Sequence, residues 1–355
     1  MNKKILRSLS VVALGLVLVA CDGGQTSENN TKADYTLKVG SYVKLDTAKN
    51  QIELSTATVV LKGDKIASAY FDVLQAPFVI TEGTIAIDTT KNQTKDAGEK
   101  NIETKQELKE RYGMSSAEQG EWYVQAAKFA DYSINKTITE VVSANYKNHY
   151  NENGTTEVAG CTISQGNFVN ALKNITDSKN FKADTNTVSA GVGTIVSTLA
   201  DNVLTVTLAG SATNASGKVF ETSINAYQIP LMVDASDATK ITYNREGKAQ
   251  TTLANFEGHT TKDGENYITE VLSKRELKDL YGMSSAEQGE WYVQANNFAT
   301  YAKKADKASD LVGQNYKTHY NENGTVEVSG CTISMGDFAA AVSESATLKS
   351  ASKAK

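Results

Sequence analysis

Glu107 to Tyr132 reads ELKERYGMSSAEQGEWYVQAAKFADY, and Glu276 to Tyr301 repeats it as ELKDLYGMSSAEQGEWYVQANNFATY. A second matched pair, Asn145 to Phe168 and Asn315 to Phe338, follows one residue further along. A unit of this length can bury a core of its own, unlike the short module of a solenoid. The chain is therefore interpreted as a tandem duplication of one domain.

The first half of each repeat predicts strands. Ile52 to Leu61 and Ile66 to Leu74 are rich in Val, Ile, Tyr and Thr and flank the turn Lys62-Gly63-Asp64-Lys65. This pattern predicts an antiparallel hairpin. In the second repeat, Leu199 to Ala209 and Val219 to Ile229 predict the same hairpin.

The second half of each repeat changes to a helical period. Ser115 and Glu118 have the spacing of a capping box, which predicts a helix start there. Apolar residues then recur at helical spacing: Trp122, Ala126, Phe129 and Ala130. A second short helix is expected from near Ser164, with Phe168, Ala171, Leu172 and Ile175 on one face. The predicted fold class is α+β, with two tandem repeats, each an antiparallel sheet with C-terminal helices packed on it.

The N-terminus has the charge order of a secretory signal. Lys3, Lys4 and Arg7 precede the apolar run Val11 to Ala20, which is too short to span a bilayer. Its last residues and Cys21 resemble the bacterial lipobox, in which the Cys is acylated; the alternative is an ordinary signal with a chance Cys. We expect a protein that is lipid-anchored at the extracytoplasmic face of the cell membrane.

The predicted organisation has five segments. They are a lipoprotein signal peptide at 1–20, a flexible tether at 21–34, a first domain at 35–178, a second domain at 187–345 and a disordered tail at 346–355. The tether is rich in Gly, Ser, Thr and Asn and almost free of apolar residues. The polar stretch Thr176 to Thr187 is interpreted as the boundary between the domains.

Composition excludes several classes of protein. With 36 Lys and Arg against 41 Asp and Glu, the chain has no overall positive field for a nucleic acid. Three Cys and three His do not provide a disulfide scaffold or a multi-ligand metal centre. Nor does the sequence contain a Ser-His-Asp arrangement, a phosphate-cradling glycine loop or zinc-ligand spacing.

A hydroxyl group precedes the last predicted helix of each repeat. The segments are Gly160-Cys161-Thr162 and Gly330-Cys331-Thr332. The amides and the positive dipole end of a helix N-terminus favour a phosphate, so these threonines are candidates to carry a phosphorylated group. The alternative is that Thr162 or Ser164 only caps the helix.

These segments resemble the attachment motif of the FMN-binding domain family. That motif is an Asp, two further residues, a Ser or Thr, Gly and Ala, followed by an acceptor Thr or Ser. The Tyr112-Gly113-Met114 and Gly120-Glu121-Trp122-Tyr123 stretches add to the resemblance, which covers nearly all of residues 35–345. Surface lipoproteins with two such domains relay electrons outside Gram-positive membranes.

The resemblance implies a cofactor and its binding residues. In the family, an exported flavin transferase links FMN through its phosphate to the acceptor hydroxyl, using FAD and magnesium. By this resemblance, FMN would be attached to Thr332 and Thr162, with Gly330 and Gly160 beside it. Tight non-covalent FMN and the absence of flavin are the alternatives.

The chain departs from the family pattern before the acceptor. Cys161 and Cys331 replace the Ala, Thr156 and Val326 replace the Asp, and Ala159 replaces the Ser or Thr. The second copy keeps the family residue at Ser329. We therefore rank Thr332 ahead of Thr162 as the acceptor.

Other conspicuous side chains have a structural interpretation. Cys161 and Cys331 are expected to be small buried packing residues, ahead of a disulfide or a redox partner for flavin. Trp122 and Trp291, each followed by a Tyr, are expected in the core rather than stacked on a flavin ring. His149 and His319 each lie in a Tyr-Lys-x-His-Tyr segment and are interpreted as surface or interface residues.

The resemblance implies a membrane-tethered extracellular flavoprotein electron carrier. Its partners would be an exported flavin transferase, a membrane redox donor such as the quinone pool or a dehydrogenase, and an extracellular electron acceptor. Such a protein transfers electrons rather than transforming a substrate. The alternative is a cofactor-free surface lipoprotein with a binding or structural, immunogenic role, and a solute-binding lipoprotein is a weaker third reading.

Overall fold

The inner strands of this protein are buried on both faces, and this determines how its layers are arranged. The computed structural model describes residues 32–91, 102–184, 188–244 and 271–351. The strands are β1 Ala33–Asp46, β2 Gln51–Lys62, β3 Lys65–Thr81, β4 Thr84–Ile87, β5 Ile175–Ala183, β6 Ser189–Ala200, β7 Val203–Thr213, β8 Val219–Asp234 and β9 Asp237–Tyr243. The α-helices are α1 Lys105–Leu108, α2 Trp122–Ser133, α3 Ile138–Val142, α4 Gly166–Lys173, α5 Lys274–Leu277, α6 Trp291–Ala302 and α7 Gly336–Thr347.

The described strands form two antiparallel sheets. Their strand orders are β4-β3-β2-β1-β5 and β6-β7-β8-β9. The predicted hairpins are confirmed: Lys62 pairs with Lys65 across the first turn, and β7 pairs with β8 in the second repeat. The strand predicted from Leu199 is interrupted, because Asp201 and Asn202 form a turn with φ of 52° and 59°. Short polar side chains tolerate this left-handed conformation.

Three apolar cores lie between the layers. The central core is shared by the two repeats and joins β1 and β2 side chains such as Leu37 and Leu54 to β7 and β8 side chains such as Leu208 and Ile229. The outer face of each sheet is covered by the helices of its own repeat. The resulting layer order is helix, sheet, sheet, helix. Sheets covered on both sides lose the simple alternation of polar and apolar residues, which explains why β2 is buried almost throughout.

A glycine allows β7 to approach the first sheet closely. A Cβ added to Gly210 would lie 2.4 Å from a Val39 methyl carbon and 2.5 Å from the Thr58 hydroxyl oxygen. Nearby, the Ser41 and Tyr227 hydroxyls are 2.6 Å apart across the same interface. The central core therefore includes a polar contact that joins the two repeats.

The long helix of the matched segment is confirmed, but its predicted start is wrong. Trp122, Ala126 and Phe129 are buried on one face of α2, as expected. Ser115 to Glu118 instead lies in turns, and the N-cap residue of α2 is Glu121, whose side chain makes no capping hydrogen bond to the helix. The capping box of this region is at Thr104 and Glu107, with its equivalent at Ser273 and Glu276.

The last helix of each repeat crosses the first strand of its sheet at a glycine. Helix α4 buries Phe168 and Leu172 as predicted, whereas Ile175 begins β5 instead of extending the helix. A Cβ on Gly40 would lie 2.0 Å from the Ala171 carbonyl oxygen. Gly193 has the same relation to α7, at 2.0 Å from the Ala341 carbonyl oxygen. Only hydrogen fits at either crossing.

The α+β class and the arrangement of helices on each sheet are confirmed by these layers. The polar stretch expected at the boundary contains β5, which pairs with β1 as the outer strand of the first sheet. Within the segment predicted as the tail, α7 extends to Thr347 and the Ser350 amide donates to the Ala190 carbonyl. The signal peptide, Cys21 and the tether up to residue 31 lie outside the described residues, and the domain limits stay predictions.

We expect Gly193→Ala to destabilise the fold by on the order of 2 kcal/mol or more, because its methyl group would overlap the α7 backbone. Gly336→Ala is the matched control, since no atom lies within 4 Å of the added Cβ. Urea unfolding of both variants measures the difference. Equal midpoints for the two variants would contradict the close helix–strand contact.

Candidate functional site

A large cleft opens beside the matched segments of the first repeat. Its volume is about 1310 Å³, above the ~300–1,000 Å³ of ordinary ligand pockets. Its lining includes both predicted site residues of this repeat, together with aromatic and basic side chains: Gly160, Thr162, Tyr112, Trp122, Lys105, Lys147 and His149. The predicted residues therefore face a space large enough for a cofactor.

Thr162 and Thr332 are half-buried at equivalent positions in the two repeats. The Thr162 hydroxyl lies 3.3 Å from the side-chain oxygen of Gln125, and the Thr332 hydroxyl lies 3.4 Å from that of Gln294. Neither threonine caps a helix, because the N-cap residues of α4 and α7 are Gln165 and Met335. The helix-capping alternative is wrong for Thr162 and for the exposed Ser164.

The backbone amides at Thr162 are not free. The side-chain oxygen of Gln125 accepts the amides of Thr162 and Ile163 at 2.9 and 3.1 Å. Gln294 makes the same pair of bonds in the second repeat, at 2.9 and 3.3 Å. The loop that carries each threonine, called the acceptor loop below, is therefore held by a glutamine of the long helix of its repeat, Gln125 in α2 and Gln294 in α6. The repeated Tyr-Val-Gln-Ala segment was the signal for this residue, and spacing arguments based on the loop alone missed it.

Gly160 and Gly330 are required by the turn before each threonine. Their φ values are 74° and 72°, in the left-handed region that favours glycine. The turn is closed by the Cys161 amide, which donates to the Val158 carbonyl at 3.0 Å. Their primary role is thus conformational, although Gly160 also lies on the cleft wall.

The two cysteines are free and buried, as the packing interpretation predicted. Cys161 and Cys331 belong to different outer cores, so the disulfide alternative is wrong. Burial raises the pKa of both thiols, that of Cys331 to about 12. Since the thiolate is the reactive form, both side chains are poor redox groups at neutral pH.

The aromatic and histidine predictions are also confirmed. Trp122 and Trp291 are 5% and 4% exposed. The Trp122 ring meets the Phe168 ring edge-on at 5.7 Å between centroids. His149 and His319 are exposed. Trp122 is both a core residue and part of the cleft lining.

A buried lysine occupies the cleft and was missed by the sequence analysis. The Lys105 ammonium lies 4.6 Å from the centroid of Tyr112 and 5.2 Å from that of Trp122. In the second repeat, the Lys274 ammonium lies 4.5 and 5.3 Å from the equivalent rings of Tyr281 and Trp291. Lys105 and Lys274 are 9% and 8% exposed, and burial lowers the pKa of each to about 8.

A sequence signal for this lysine existed. Thr104-Lys105-Gln106-Glu107 and Ser273-Lys274-Arg275-Glu276 are both capping boxes with a lysine in the first helical position. A lysine at this position is normally solvent-exposed, and only the packing of the short helix against the sheet buries it. The capping-box pattern is typical of a helix start, but it does not specify the environment of the lysine side chain.

The two repeats differ at a buried carboxyl group on β3. Burial raises the pKa of Asp72 from its ordinary value of 3.8 to about 7. Its Oδ1 accepts the amides of Val73 and Gln106. The side-chain oxygen of Asn225 accepts the equivalent amides of Ala226 and Arg275. Asn225 therefore accepts hydrogen bonds from the equivalent backbone amides without carrying a titratable group.

We expect Asp72→Asn to stabilise the protein at pH 8 by on the order of 3 kcal/mol, and to change little at pH 4. Since the folded pKa lies above the unfolded one, the folded state retains a proton between about pH 4 and pH 7, and stability falls as the pH rises through this window. Denaturant unfolding at several pH values measures the effect. Asn225→Asp is the reciprocal control and should introduce the same pH dependence. A stability difference between Asp72→Asn and the wild type that does not vary with pH would contradict the raised pKa of Asp72.

Among the described residues, no three His, Cys, Asp or Glu side chains come together as a metal site. None of the helices in the described ranges combines the length and apolar content needed to cross a bilayer. Comparison of the chain with protein-family models, with curated proteins and with solved structures found no match.

Proposed function

We propose that this protein is a membrane-tethered extracellular electron carrier that holds FMN through its phosphate on a threonine of each repeat. The observation that carries the proposal is that Thr162 lies half-buried on the wall of a cleft of about 1310 Å³. The family resemblance supplies the identity of the cofactor. The lipid anchor at Cys21 is part of the proposal and rests on the N-terminal sequence alone.

The residues of the cleft fit such a cofactor in three respects. The hydroxyl of Thr162 is neither sealed in the core nor used as a helix cap. Tyr112 and Trp122 contribute aromatic lining for a planar group. Lys105 and Lys147 add positive charge to the same cleft, which suits a phosphate.

Each residue of the site has a distinct task in this proposal. Gln125 fixes the acceptor loop by accepting two of its amides, and its oxygen orients the Thr162 hydroxyl. Gly160 provides the turn that brings the threonine to the wall. When bound, the flavin supplies the redox chemistry, and the chain supplies its position, polarity and distance to the next carrier. The electron donor would be a quinone pool or a dehydrogenase of the membrane, and the acceptor would be extracellular.

A second candidate function has one specific observation in its favour. The acceptor loops are already closed by Gln125 and Gln294, so both repeats have their loop amides paired without a ligand. This suits a cofactor-free surface lipoprotein that uses the same fold for binding or as a coat. A colourless protein extracted from its native membrane would favour this alternative.

The test is co-expression of the full chain with an exported flavin transferase. FAD and magnesium are supplied, because the transferase uses both. We expect intact-mass analysis to show attached FMN, with the absorption spectrum of a flavin. An unmodified mass and a colourless protein would overturn the proposal.

Valine substitutions then assign the attachment sites. Thr332→Val and Thr162→Val each remove the acceptor hydroxyl with little change in shape, and we expect a greater loss of flavin from Thr332→Val because Ser329 keeps the family residue. Thr332→Ser and Thr162→Ser are the matched controls, since serine retains a hydroxyl. Equal losses from the two valine variants would contradict the ranking, and unaltered flavin in the double valine variant would exclude both sites.

A further inference from the structure

The Lys105 side chain combines three properties that rarely occur together. It is nine-tenths buried, it lines the large cleft, and its ammonium faces the Tyr112 and Trp122 rings. Within the part of the chain that the structure describes, this ammonium donates no hydrogen bond and forms no ion pair. Burying a charge without a hydrogen-bonding partner is costly, and cation–π contacts offset only part of that cost.

The burial and the aromatic contacts of this lysine recur in the second repeat. Lys274 is 8% exposed and faces Tyr281 and Trp291 at nearly the same distances, again without a hydrogen bond or ion pair among the described residues. The two repeats differ at many neighbouring positions, including Gln106 and Arg275. A nearly buried lysine whose ammonium has no protein partner among the described residues is therefore a feature of the repeat rather than an accident of one copy.

A negatively charged side chain lies close enough to influence Lys105. Glu53 also lines the cleft, and its negative charge acts to raise the Lys105 pKa against the larger effect of burial. Its two oxygens accept bonds from Gln75 at 2.6 Å and from Asn167 at 3.4 Å. The carboxylate thus partly neutralises the cleft without bonding to the lysine.

A second feature of the cleft favours an oxyanion. Ser164 and Asn167, beside the N-terminus of α4, line the same space as Lys105. The first amides of a helix have no acceptor within it, and the dipole adds partial positive charge there. A buried ammonium and a helix N-terminus around one cleft are suited to a phosphate group, for which lysine acts as a point charge.

We propose that Lys105 is the anion-binding group of the cleft, that it pairs with the phosphate of a phosphate-ester ligand carrying a planar aromatic ring, and that Lys274 has the same task in the second repeat. The proposal rests on the proposed function only for the choice of FMN as the ligand. The binding of a phosphate anion at Lys105 does not require covalent attachment. Glu53 weakens this binding, because its carboxylate repels the anion.

The experiment measures reversible binding to the full chain produced without a flavin transferase. FMN, riboflavin and inorganic phosphate are titrated against the wild type and against Lys105→Met, with fluorescence and calorimetry as readouts. We expect Lys105→Met to weaken FMN binding about tenfold or more and to leave riboflavin binding unaltered, because riboflavin lacks the phosphate. Inorganic phosphate should compete with FMN in the wild type only.

Three further variants make the test specific to this side chain. Lys44→Met removes the same charge from an exposed lysine of the cleft and should change FMN affinity less than twofold. Lys105→Arg should restore FMN binding at least in part. Glu53→Gln should tighten it severalfold, because the competing negative charge is gone while an acceptor for Gln75 remains.

A stability measurement separates loss of binding from loss of folding. Lys105→Met should raise the melting temperature of the ligand-free protein, because the buried unpaired charge is replaced by an apolar side chain of similar length. FMN affinity should fall as the pH rises through about 8, where Lys105 loses its proton. The charged groups that act on it are Glu53, Asp72 and Lys49. This pH dependence should be absent from Lys105→Met.

The outcomes distinguish this inference from the proposed function. Equal FMN affinity in the wild type and in Lys105→Met, or no binding of FMN and phosphate to the wild type, would overturn the role of Lys105. If FMN binds through Lys105 but membrane-extracted protein holds no attached flavin, covalent attachment fails and the anion site stands. If flavin is attached and Lys105→Met alters neither FMN affinity nor its pH dependence, the anion site fails and covalent attachment stands.

Discussion

The constraint on which this structure depends is that each sheet is apolar on both faces. A single layer of helices covers only one face, so the other face of each sheet is buried against the sheet of the other repeat. The close approach of these layers is possible because glycines stand where any side chain would overlap the neighbouring layer, at Gly40, Gly193 and Gly210. The duplication is thus a structural requirement: one repeat alone would expose the large apolar face that the central core now covers.

The same layering creates the candidate site. The short helix α1 packs against β3, which draws the first helical residue, Lys105, into a nearly buried position. The long helix α2 places Gln125 beneath the acceptor loop, where one oxygen replaces the water that the two amides would otherwise bind. The loop is therefore ordered by protein contacts, and the ammonium is the polar group left for a ligand. Because the Thr162 amides are paired and the Lys105 ammonium is not, Lys105 is the better source of anion affinity.

Duplication has preserved the framework of the site and changed its charges. Asp72 is replaced by Asn225, which keeps the backbone bonds and removes a carboxyl group whose pKa burial raises to about 7. Glu53 on β2 has Thr205 at the same register position, since the two residues pair with Gln75 and Gln228. Asn167 of α4 corresponds to Asp337 of α7, so the acid moves from strand to helix. Two cofactors held in the two repeats would therefore experience different fields.

The sequence by itself determined the duplication, the hairpins around Gly63 and between β7 and β8, the α2 helix and the burial of Trp122, because these follow from local periodicity and from matching within one chain. It did not determine the helix starts, since Ser115-x-x-Glu118 and Thr104-x-x-Glu107 have the same spacing and only packing against the sheet selects the second. Tertiary structure decided the central core, the hydrogen bonds from the Thr162 and Ile163 amides to Gln125, and the burial of Lys105. Each joins residues that lie far apart in the chain, and no local pattern specifies which of them will meet.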